Sequence, residues 1–168
     1  ENVLKGIFSF KPVNLVDIER EVSALGSSKS SMFGSIPSKF LKENTDICCK
    51  PLTNVINNGI VNSHFDSDLK LADLTPVHKD DDTTNKKNYR NISLLPIVSQ
   101  IFEKIIQSQI AAYMEDFLSP FLCGYRKGFS AQHALLSMLE KWRKSLDKGG
   151  YGGGILMDLS KAFDTLNH

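Results

Sequence analysis

Apolar residues recur at every third or fourth position in several stretches of the chain, a spacing typical of helices with one buried face. Asn14 is suited to cap the first of these helices, which ends before Gly26, and a short helical turn follows Pro37. A third helix is predicted over residues 46–57. Its inward-facing positions are expected to be Ile47, Leu52, Val55 and Ile56.

Two further helices carry the broadest apolar faces. One opens at Pro96, which suits the first position of a helix, and the other follows Ser130, a capping residue. The inward positions of the first are Ile97, Ile101, Phe102, Ile105, Ile106, Ile110, Tyr113 and Phe117. Those of the second are Leu135, Met138, Leu139, Trp142 and Leu146.

Strand patterns occupy the remaining apolar stretches. Residues 69–77 and 89–95 predict two strands, and the polar segment 78–87 is typical of an exposed loop between them. A glycine-rich turn at 149–154 precedes a short apolar strand over 155–159. The order of elements is helices, two strands, two helices and a strand, so the fold class is α+β without regular βαβ alternation.

The amino-acid composition excludes few classes of protein or partner. An apolar fraction of 41% allows a packed core, and 20 basic against 19 acidic residues neither demand nor exclude a nucleic-acid partner. The 3 cysteines contain no C-x-x-C pair and predict free thiols of a reducing compartment rather than disulfides or a zinc site. Since no apolar run reaches about 18 residues, we expect no membrane partner.

Asp158 is the first candidate for chemistry, because an apolar strand that ends in a carboxylate can present an oxygen ligand to Mg²⁺ at the rim of a sheet. The alternative is a helix cap or a turn residue. Arg90 can hold a triphosphate by bidentate contacts, or it is a surface charge on a hairpin. Arg126 and Lys127 lie between two glycines, where they either contact phosphates or are solvated loop charges.

Five segments, in the same order, resemble motifs of the reverse transcriptases of non-LTR retrotransposons, of the jockey-like or LINE type. The segment that opens with Asp158 is similar to the family's motif A in a near-consensus form. Each motif alone is moderately specific, and five in the correct order and spacing are highly specific. The resemblance extends over essentially the whole chain, and its segments are residues 29–42, 74–79, 88–95, 124–135 and 158–168.

This resemblance implies an RNA-directed DNA polymerase that extends a DNA primer on an RNA template, using deoxynucleoside triphosphates. It implies that Asp158 is catalytic and binds Mg²⁺, and that Phe163 excludes a ribose 2′-hydroxyl. It also implies that Arg90 and Lys79 contact the incoming nucleotide. Arg126 and Lys127 are expected to contact the template. The protein is expected inside the cell, in the cytoplasm or the nucleus.

The resemblance further implies a partial right-hand polymerase fold, the fingers and the start of the palm, over residues 65–168. Residues 1–64 would form a helical extension before it. The chain is expected to be the amino-terminal part of its domain, ending ten residues after Asp158. The family's Asp-Asp motif is missing from the sequence, and we therefore expect the isolated chain to be inactive.

Two alternatives remain. The chain is also compatible with a catalytically inactive pseudogene remnant that binds nucleic acid weakly at most. A phosphotransferase with an aspartate nucleophile would suit the strand before Asp158, but it needs a second acid where Ser160 stands. The sequence also departs from the family pattern at several positions: Asn91 replaces a proline, Phe129 replaces a polar or basic residue, and three aspartates, Asp80 to Asp82, stand in the fingers turn.

Overall fold

A computed structural model of the protein describes residues 7–27, 29–79 and 82–158. Its contacts divide the chain into two compact units, Glu1–Asp116 and Phe117–His168. Helices and one small antiparallel sheet make up the described structure, as the predicted α+β class requires. No helix in the described ranges combines the length and the apolarity needed to cross a membrane.

The first unit contains four α-helices among its described residues: α1 (Leu15–Ser23), α2 (Ser38–Glu43), α3 (Thr45–Val61) and α4 (Ile97–Met114). The strands β1 (Asp73–His78) and β2 (Tyr89–Leu94) lie between α3 and α4. All six elements confirm the predictions from the sequence, with ends that differ by a few residues. Short 3-10 turns cover Ser67–Lys70, Lys86–Asn88 and Glu115–Phe117.

Helix α1 begins where the sequence predicted, because Asn14 and Asp17 satisfy each other's exposed amides. The Asp17 backbone N–H donates to Asn14 Oδ1 at 2.9 Å, and the Asn14 N–H donates to Asp17 Oδ2 at 3.2 Å. This reciprocal arrangement is a capping box, and the carboxylate also lies favourably at the positive end of the helix. The start of α1 is therefore fixed by local chemistry.

The core of the first unit joins the three earlier helices to the first half of α4. Phe65 adds to it by stacking on Phe102, with ring centroids 5.0 Å apart. Residues from before and after position 64 thus share one core, and the proposed division between 64 and 65 stays a prediction. The buried apolar side chains are Ile18, Val22, Leu25, Leu41, Cys49, Leu52, Ile56, Ile97, Ile101, Phe102 and Ile105.

Two of the predicted inward positions of α3 were wrong: Ile47 is 68% exposed and Val55 is 51% exposed. The buried stripe of this helix runs through Cys49, Leu52 and Ile56. At about 100° per residue, Ile47 falls on the side opposite Cys49, and Val55 falls at the edge of the stripe. Ile110 of α4 is 41% exposed, because only the first half of that helix is covered.

The β1–β2 hairpin is attached to the core at its base. Ser99, buried in α4, donates its hydroxyl to the Leu69 carbonyl just before β1. The Met32 N–H donates to the Leu95 carbonyl at 3.2 Å, and the Phe33 N–H donates to the Asp73 carboxylate at 2.6 Å. Beyond this base most hairpin residues are exposed, so the far end of the hairpin projects into solvent.

The second unit is built around α5 (Ala131–Leu146), whose existence confirms the prediction after Ser130. Ser130 caps it together with His133 Nδ1, which accepts from the Ser130 N–H at 3.1 Å. The predicted burial of its apolar face was wrong. Leu135, Leu139 and Leu146 are each more than half exposed, and none of the α5 residues is buried. Regular spacing creates an apolar face, but only a partner surface covers it.

The predicted strand over 155–159 was also wrong as far as the structure describes it, because residues 151–158 form no strand. Ile155, Leu156 and Met157 are each about nine-tenths exposed. A strand needs a neighbour that accepts and donates its backbone hydrogen bonds, and no described residue of this unit provides one. Residue 159 lies outside the described residues.

The glycine-rich turn packs on Trp142 instead of forming an open hairpin. The indole Nε1–H donates to the Gly153 carbonyl at 3.2 Å. A Cβ atom at Gly152 would lie 3.0 Å from the indole ring, so glycine allows this close approach without displacing the ring. Trp142 is therefore half-buried by backbone. The three cysteines, Cys48, Cys49 and Cys123, are free thiols, as predicted.

Candidate nucleotide and nucleic-acid interface

Arg90 and Lys79 emerge on one face of the hairpin. Arg90 is paired with Val77, and the Lys79 N–H donates to the Asn88 carbonyl at 2.7 Å, which extends the ladder by one step beyond β1. Because side chains alternate between the two faces of a strand, Val77 and Lys79 point to the same side as Arg90. Both cations are exposed. The hairpin therefore presents two positive charges in a diagonal relation across its strands.

The opposite face of the hairpin carries the aromatic pair His78 and Tyr89, whose ring centroids are 5.2 Å apart. The Tyr89 hydroxyl donates to the Thr83 carbonyl at 2.9 Å and so fixes the connection between the strands. The aromatic side chains of this end of the hairpin thus lie away from Arg90. The rings hold the connecting segment in place and the cations remain accessible.

Asp82 is engaged within that connection. It accepts from the Thr84 N–H at 2.9 Å and from the Thr84 hydroxyl at 2.7 Å. These hydrogen bonds, the backbone one first, lower the pKa of Asp82 below its ordinary value of 3.8. The carboxylate therefore stays ionised at neutral pH and stabilises the turn through its hydrogen bonds to Thr84. Asp80 and Asp81 lie outside the described residues.

The loop before α5 contains two cations, Arg126 and Lys127, which differ in their contacts and in their exposure. The Arg126 guanidinium donates to the Ser119 carbonyl at 3.2 Å and lies 4.3 Å from the centroid of the Phe129 ring. It is half-buried, whereas Lys127 is exposed. Gly128 has φ +82°, a value that glycine adopts without strain, and it turns the chain between the two cations and Phe129. Arg126 is thus a positioned charge.

Asp158 is exposed, and Phe163 lies outside the described residues. In the ranges that the structure describes, no three side chains of histidine, cysteine, aspartate or glutamate come together as a metal site. Asp158 supplies one carboxylate of the kind that Mg²⁺ prefers, but Mg²⁺ usually takes one or two carboxylates together with substrate phosphates. The described residues therefore do not form a magnesium site by themselves.

The structure thus brings Arg90 and Lys79 together in the first unit and places Arg126, Lys127 and Asp158 in the second. The aromatic neighbours of Arg126 were not predicted from the sequence. One signal was available: Phe129 stands where the family pattern has a polar or basic residue. A ring three positions after an arginine within one loop is suited to cation–π stacking.

Comparison with known proteins settles the family. A profile described as reverse transcriptase (RNA-dependent DNA polymerase) matches residues 77–168, more than half of the chain. The chain belongs to this family. The predicted kinship with the reverse transcriptases of non-LTR retrotransposons is confirmed. The matched range contains all the predicted site residues, from Lys79 to Phe163.

Curated relatives from Drosophila melanogaster agree. The chain is 29% identical over 120 residues to a probable RNA-directed DNA polymerase from transposon X-element, across 70% of the chain and 13% of the relative. It is 23% identical to the probable RNA-directed DNA polymerase from transposon BS, across 100% of the chain and 19% of the relative. It is 22% identical to the RNA-directed DNA polymerase from mobile element jockey, across 93% of the chain and 17% of that protein. The chain therefore spans less than a fifth of the length of these relatives.

Proposed function

We propose that this chain is the part of an RNA-directed DNA polymerase that binds the incoming deoxynucleoside triphosphate and the template next to the first catalytic carboxylate. One observation carries the proposal: Arg90 and Lys79, which both lie within the family-matched range, share an exposed face of the hairpin. The reaction of the whole polymerase is attack of a primer 3′-hydroxyl on the α-phosphorus of the nucleotide, with pyrophosphate leaving.

The two cations suit different parts of a triphosphate. The planar guanidinium of Arg90 donates parallel N–H bonds to two phosphate oxygens, and the compact ammonium of Lys79 acts as a point charge. A triphosphate carries several negative charges, so binding by this face neutralises charge that would otherwise repel the primer strand. The Asp82 carboxylate is bonded to Thr84 within the turn and keeps its negative charge, which solvent screens at this exposed position.

Asp158 and Phe163 are assigned the chemistry that comes after binding. The family uses divalent metal ions, and Asp158 would give one oxygen ligand to Mg²⁺, which supplies Lewis-acid stabilisation of the transferring phosphoryl group when it is bound. Phe163, five residues on, would lie under the sugar and disfavour a ribose 2′-hydroxyl. Arg126 and Lys127 would hold phosphates of the RNA template.

The same proposal interprets the fold. The β1–β2 hairpin and α4 correspond to the fingers of a right-hand polymerase, and the segment that reaches Asp158 corresponds to the start of the palm. Residues 1–64 form a helical extension and residues 65–168 belong to the reverse transcriptase domain. The shared core of α1, α3 and α4 supports a structural role for the extension, which carries the base of the hairpin.

Nucleotide binding by the 168-residue chain tests the hairpin. Titration calorimetry with Mg·dATP compares the wild-type chain with Arg90→Gln, with Lys79→Gln and with Arg143→Gln, an exposed arginine of α5 that serves as the matched control. Loss of a charge-assisted bidentate contact costs about 1.5–3 kcal/mol, so Arg90→Gln is expected to weaken binding by about 10-fold to 100-fold. Equal affinities for the wild type and Arg90→Gln would refute the nucleotide assignment.

Polymerisation is tested in a chimera in which this chain replaces the matching segment of the jockey polymerase. Incorporation of labelled deoxynucleotides on an RNA template is measured with Mg²⁺ and with EDTA. Asp158→Asn is expected to abolish incorporation, whereas Asp147→Asn, at the end of α5, retains it. An active chimera that tolerates Asp158→Asn would contradict the catalytic role. An inactive chimera that also fails to bind nucleotide would favour a pseudogene remnant.

A further inference from the structure

The second unit contains a pocket whose walls combine aromatic rings with positive charge. Its volume is about 380 Å³, and it lies between the loop that carries Arg126 and the first turns of α5. Two phenylalanine rings, a histidine and a lysine line it together with one thiol and one thioether. These six side chains are Phe121, Cys123, Phe129, His133, Met138 and Lys141.

Each phenylalanine carries a cation over its ring. Lys141 Nζ lies 4.2 Å from the centroid of the Phe121 ring, and Arg126 Cζ lies 4.3 Å from that of Phe129. The rings nevertheless remain accessible, since Phe121 is 70% exposed and Phe129 is 38% exposed. The Phe129 and His133 rings are 5.6 Å apart and tilted by 49°, which widens the aromatic wall. Exposed rings with adjacent cations favour planar π-systems that bear negative charge nearby.

The segment that contains the pocket, residues 117–158, carries an excess of positive charge. Residues 117–158 contain six lysines and arginines but only three aspartates and glutamates, although the whole chain is almost neutral at +1. Local excess charge of this kind attracts polyanions, and this attraction strengthens as the salt concentration is lowered. Lys127 is exposed in the same loop as Arg126 and is free of the aromatic packing that holds Arg126.

We propose that this pocket binds an unpaired nucleobase of a single-stranded nucleic acid whose backbone phosphate is held by Lys127. The inference rests on the proposed function, which supplies the nucleic acid and the phosphate contact of Lys127, and it adds a base-binding pocket with a different chemistry. Bases within a duplex are stacked on both faces and cannot enter such a pocket. Every base has a π-face, so stacking on the two rings depends little on base identity. Stacking on a protein ring is worth about 1–3 kcal/mol per base.

Fluorescence anisotropy with the full 168-residue chain tests the proposal. The probes are a labelled 12-nucleotide oligouridylate, the same sugar-phosphate strand with abasic positions, and an RNA duplex of equal length. The oligouridylate is expected to bind at least about 5-fold more tightly than the abasic strand, since the abasic strand keeps the phosphates and loses the stacking. Equal binding of the two strands overturns the pocket.

Variants separate stacking from charge. Phe121→Leu combined with Phe129→Leu keeps apolar volume but removes both rings, and is expected to lower oligouridylate affinity by about 5-fold to 100-fold while leaving the abasic strand unchanged. Phe40→Leu, at a ring of the first unit that is 50% exposed, is the matched control. Lys127→Gln is expected to weaken the binding of both strands equally. It should also reduce by about 1 the slope of the logarithm of the binding constant against the logarithm of the salt concentration. An unchanged affinity of the double variant refutes the proposal.

A single-ring variant and a measurement of cysteine alkylation complete the test. If circular dichroism shows that the double variant is unfolded, Phe121→Leu alone carries the comparison, because its ring is largely exposed. Bound oligouridylate is also expected to slow alkylation of Cys123, which lines the pocket, and to leave Cys48 of α3 unaffected. Tight binding of the duplex without protection of Cys123 would indicate a duplex-binding surface and overturn the pocket.

The outcome is independent of the nucleotide site. A chain that loses no oligouridylate affinity in the double variant, yet loses Mg·dATP affinity in Arg90→Gln, refutes the pocket and retains the proposed function. In the converse outcome, Arg90→Gln leaves the Mg·dATP affinity unchanged, but the double variant loses oligouridylate affinity. That result retains the pocket and refutes the nucleotide assignment. Failure to bind any single strand overturns the pocket as well.

Discussion

The side-chain amide of Asn57 holds the backbone of Val13 by two hydrogen bonds of 2.8 Å, one from the Val13 N–H and one to the Val13 carbonyl. Gln109 of α4 does the same for Lys11, with distances of 2.8 and 2.9 Å. The two held residues are separated by one position, so they present their backbone groups along the same edge of an extended segment. The residues before α1 are thus fastened to α3 and α4 by side chains that imitate a neighbouring strand.

Asn57→Ala is expected to lower the free energy of unfolding by about 1–2 kcal/mol, because it removes both hydrogen bonds and leaves the half-buried Val13 groups without a protein partner. Asn57→Asp keeps the acceptor, loses the donor and sets a carboxylate against the Val13 carbonyl, so it should be at least as destabilising. Urea unfolding followed by circular dichroism measures both. Asn54→Ala, at an exposed asparagine of α3, is the control and should be nearly neutral.

The Glu21–Lys104 ion pair joins α1 to α4 at 2.9 Å, and the Glu21 side chain is only 16% exposed. Lys104→Met should cost about 1 kcal/mol, since Lys104 is half-exposed and solvent screens part of the attraction. Adding Glu21→Gln should recover part of that loss, because the largely buried carboxylate would keep only the more distant Arg20 guanidinium, at 3.6 Å. Lys144→Met breaks an exposed pair with Glu140 at 4.0 Å and should change stability by less than about 0.5 kcal/mol. Thermal unfolding of these variants and the wild type tests this order.

Gly59 lies within α3 where a side chain has no room. A Cβ atom there would be 2.9 Å from the His64 carbonyl oxygen and 3.0 Å from the Phe102 ring. Alanine gains about 1 kcal/mol of helix propensity over glycine, but overpacking costs about 1–3 kcal/mol, so Gly59→Ala should be destabilising on balance. Gly26→Ala, where the nearest atom is 3.9 Å away, is the comparison in urea unfolding. A more stable Gly59→Ala chain would show that the loop at His64 moves freely.

Cys49 should be the slowest of the three thiols to react with iodoacetamide at about pH 8. Burial, followed by the charges of Glu19, Cys48 and Asp46, raises the pKa of Cys49 above its ordinary value of 9.0. The thiolate is the reactive form, so raising the pKa and burying the sulfur both slow alkylation. The contribution of the protonated Cys49 thiol to the free energy of unfolding is fully present below pH 9.0. It is lost as the pH rises through the raised pKa of the folded chain. Mass spectrometry of timed samples measures the three rates, with urea-unfolded chain as control, and faster labelling of Cys49 than of Cys48 would contradict the prediction.

The sequence predicted much of the first unit because its signals are local. Asn14 and Asp17 are three positions apart in the chain and fix the start of α1 without help from the rest of the fold. The β1–β2 pairing follows from two short apolar runs with a polar connection between them. The predicted grouping of Arg90 with Lys79 also follows from this register, since strand alternation decides the side on which each emerges.

The predictions failed where burial depended on a partner. Leu135 and Leu139 have helical spacing in α5, but no described surface of their unit covers them. The run of Ile155, Leu156 and Met157 is apolar enough for a strand, but no described strand of that unit lies beside it. The contact of Trp142 with the glycine-rich turn was equally invisible, because glycine in a sequence signals a turn and not the ring that packs on it.

By itself, the sequence determined the family and most of the elements of the first unit, and it named candidate site residues, because these inferences depend on residue identity and on spacing along the chain. Tertiary structure alone decided which faces are buried, that Arg126 is held over Phe129, and that Asn57 and Gln109 fasten the segment before α1. These contacts join residues that are distant in sequence or depend on loop conformation. Their free energy comes from geometry that no local pattern encodes.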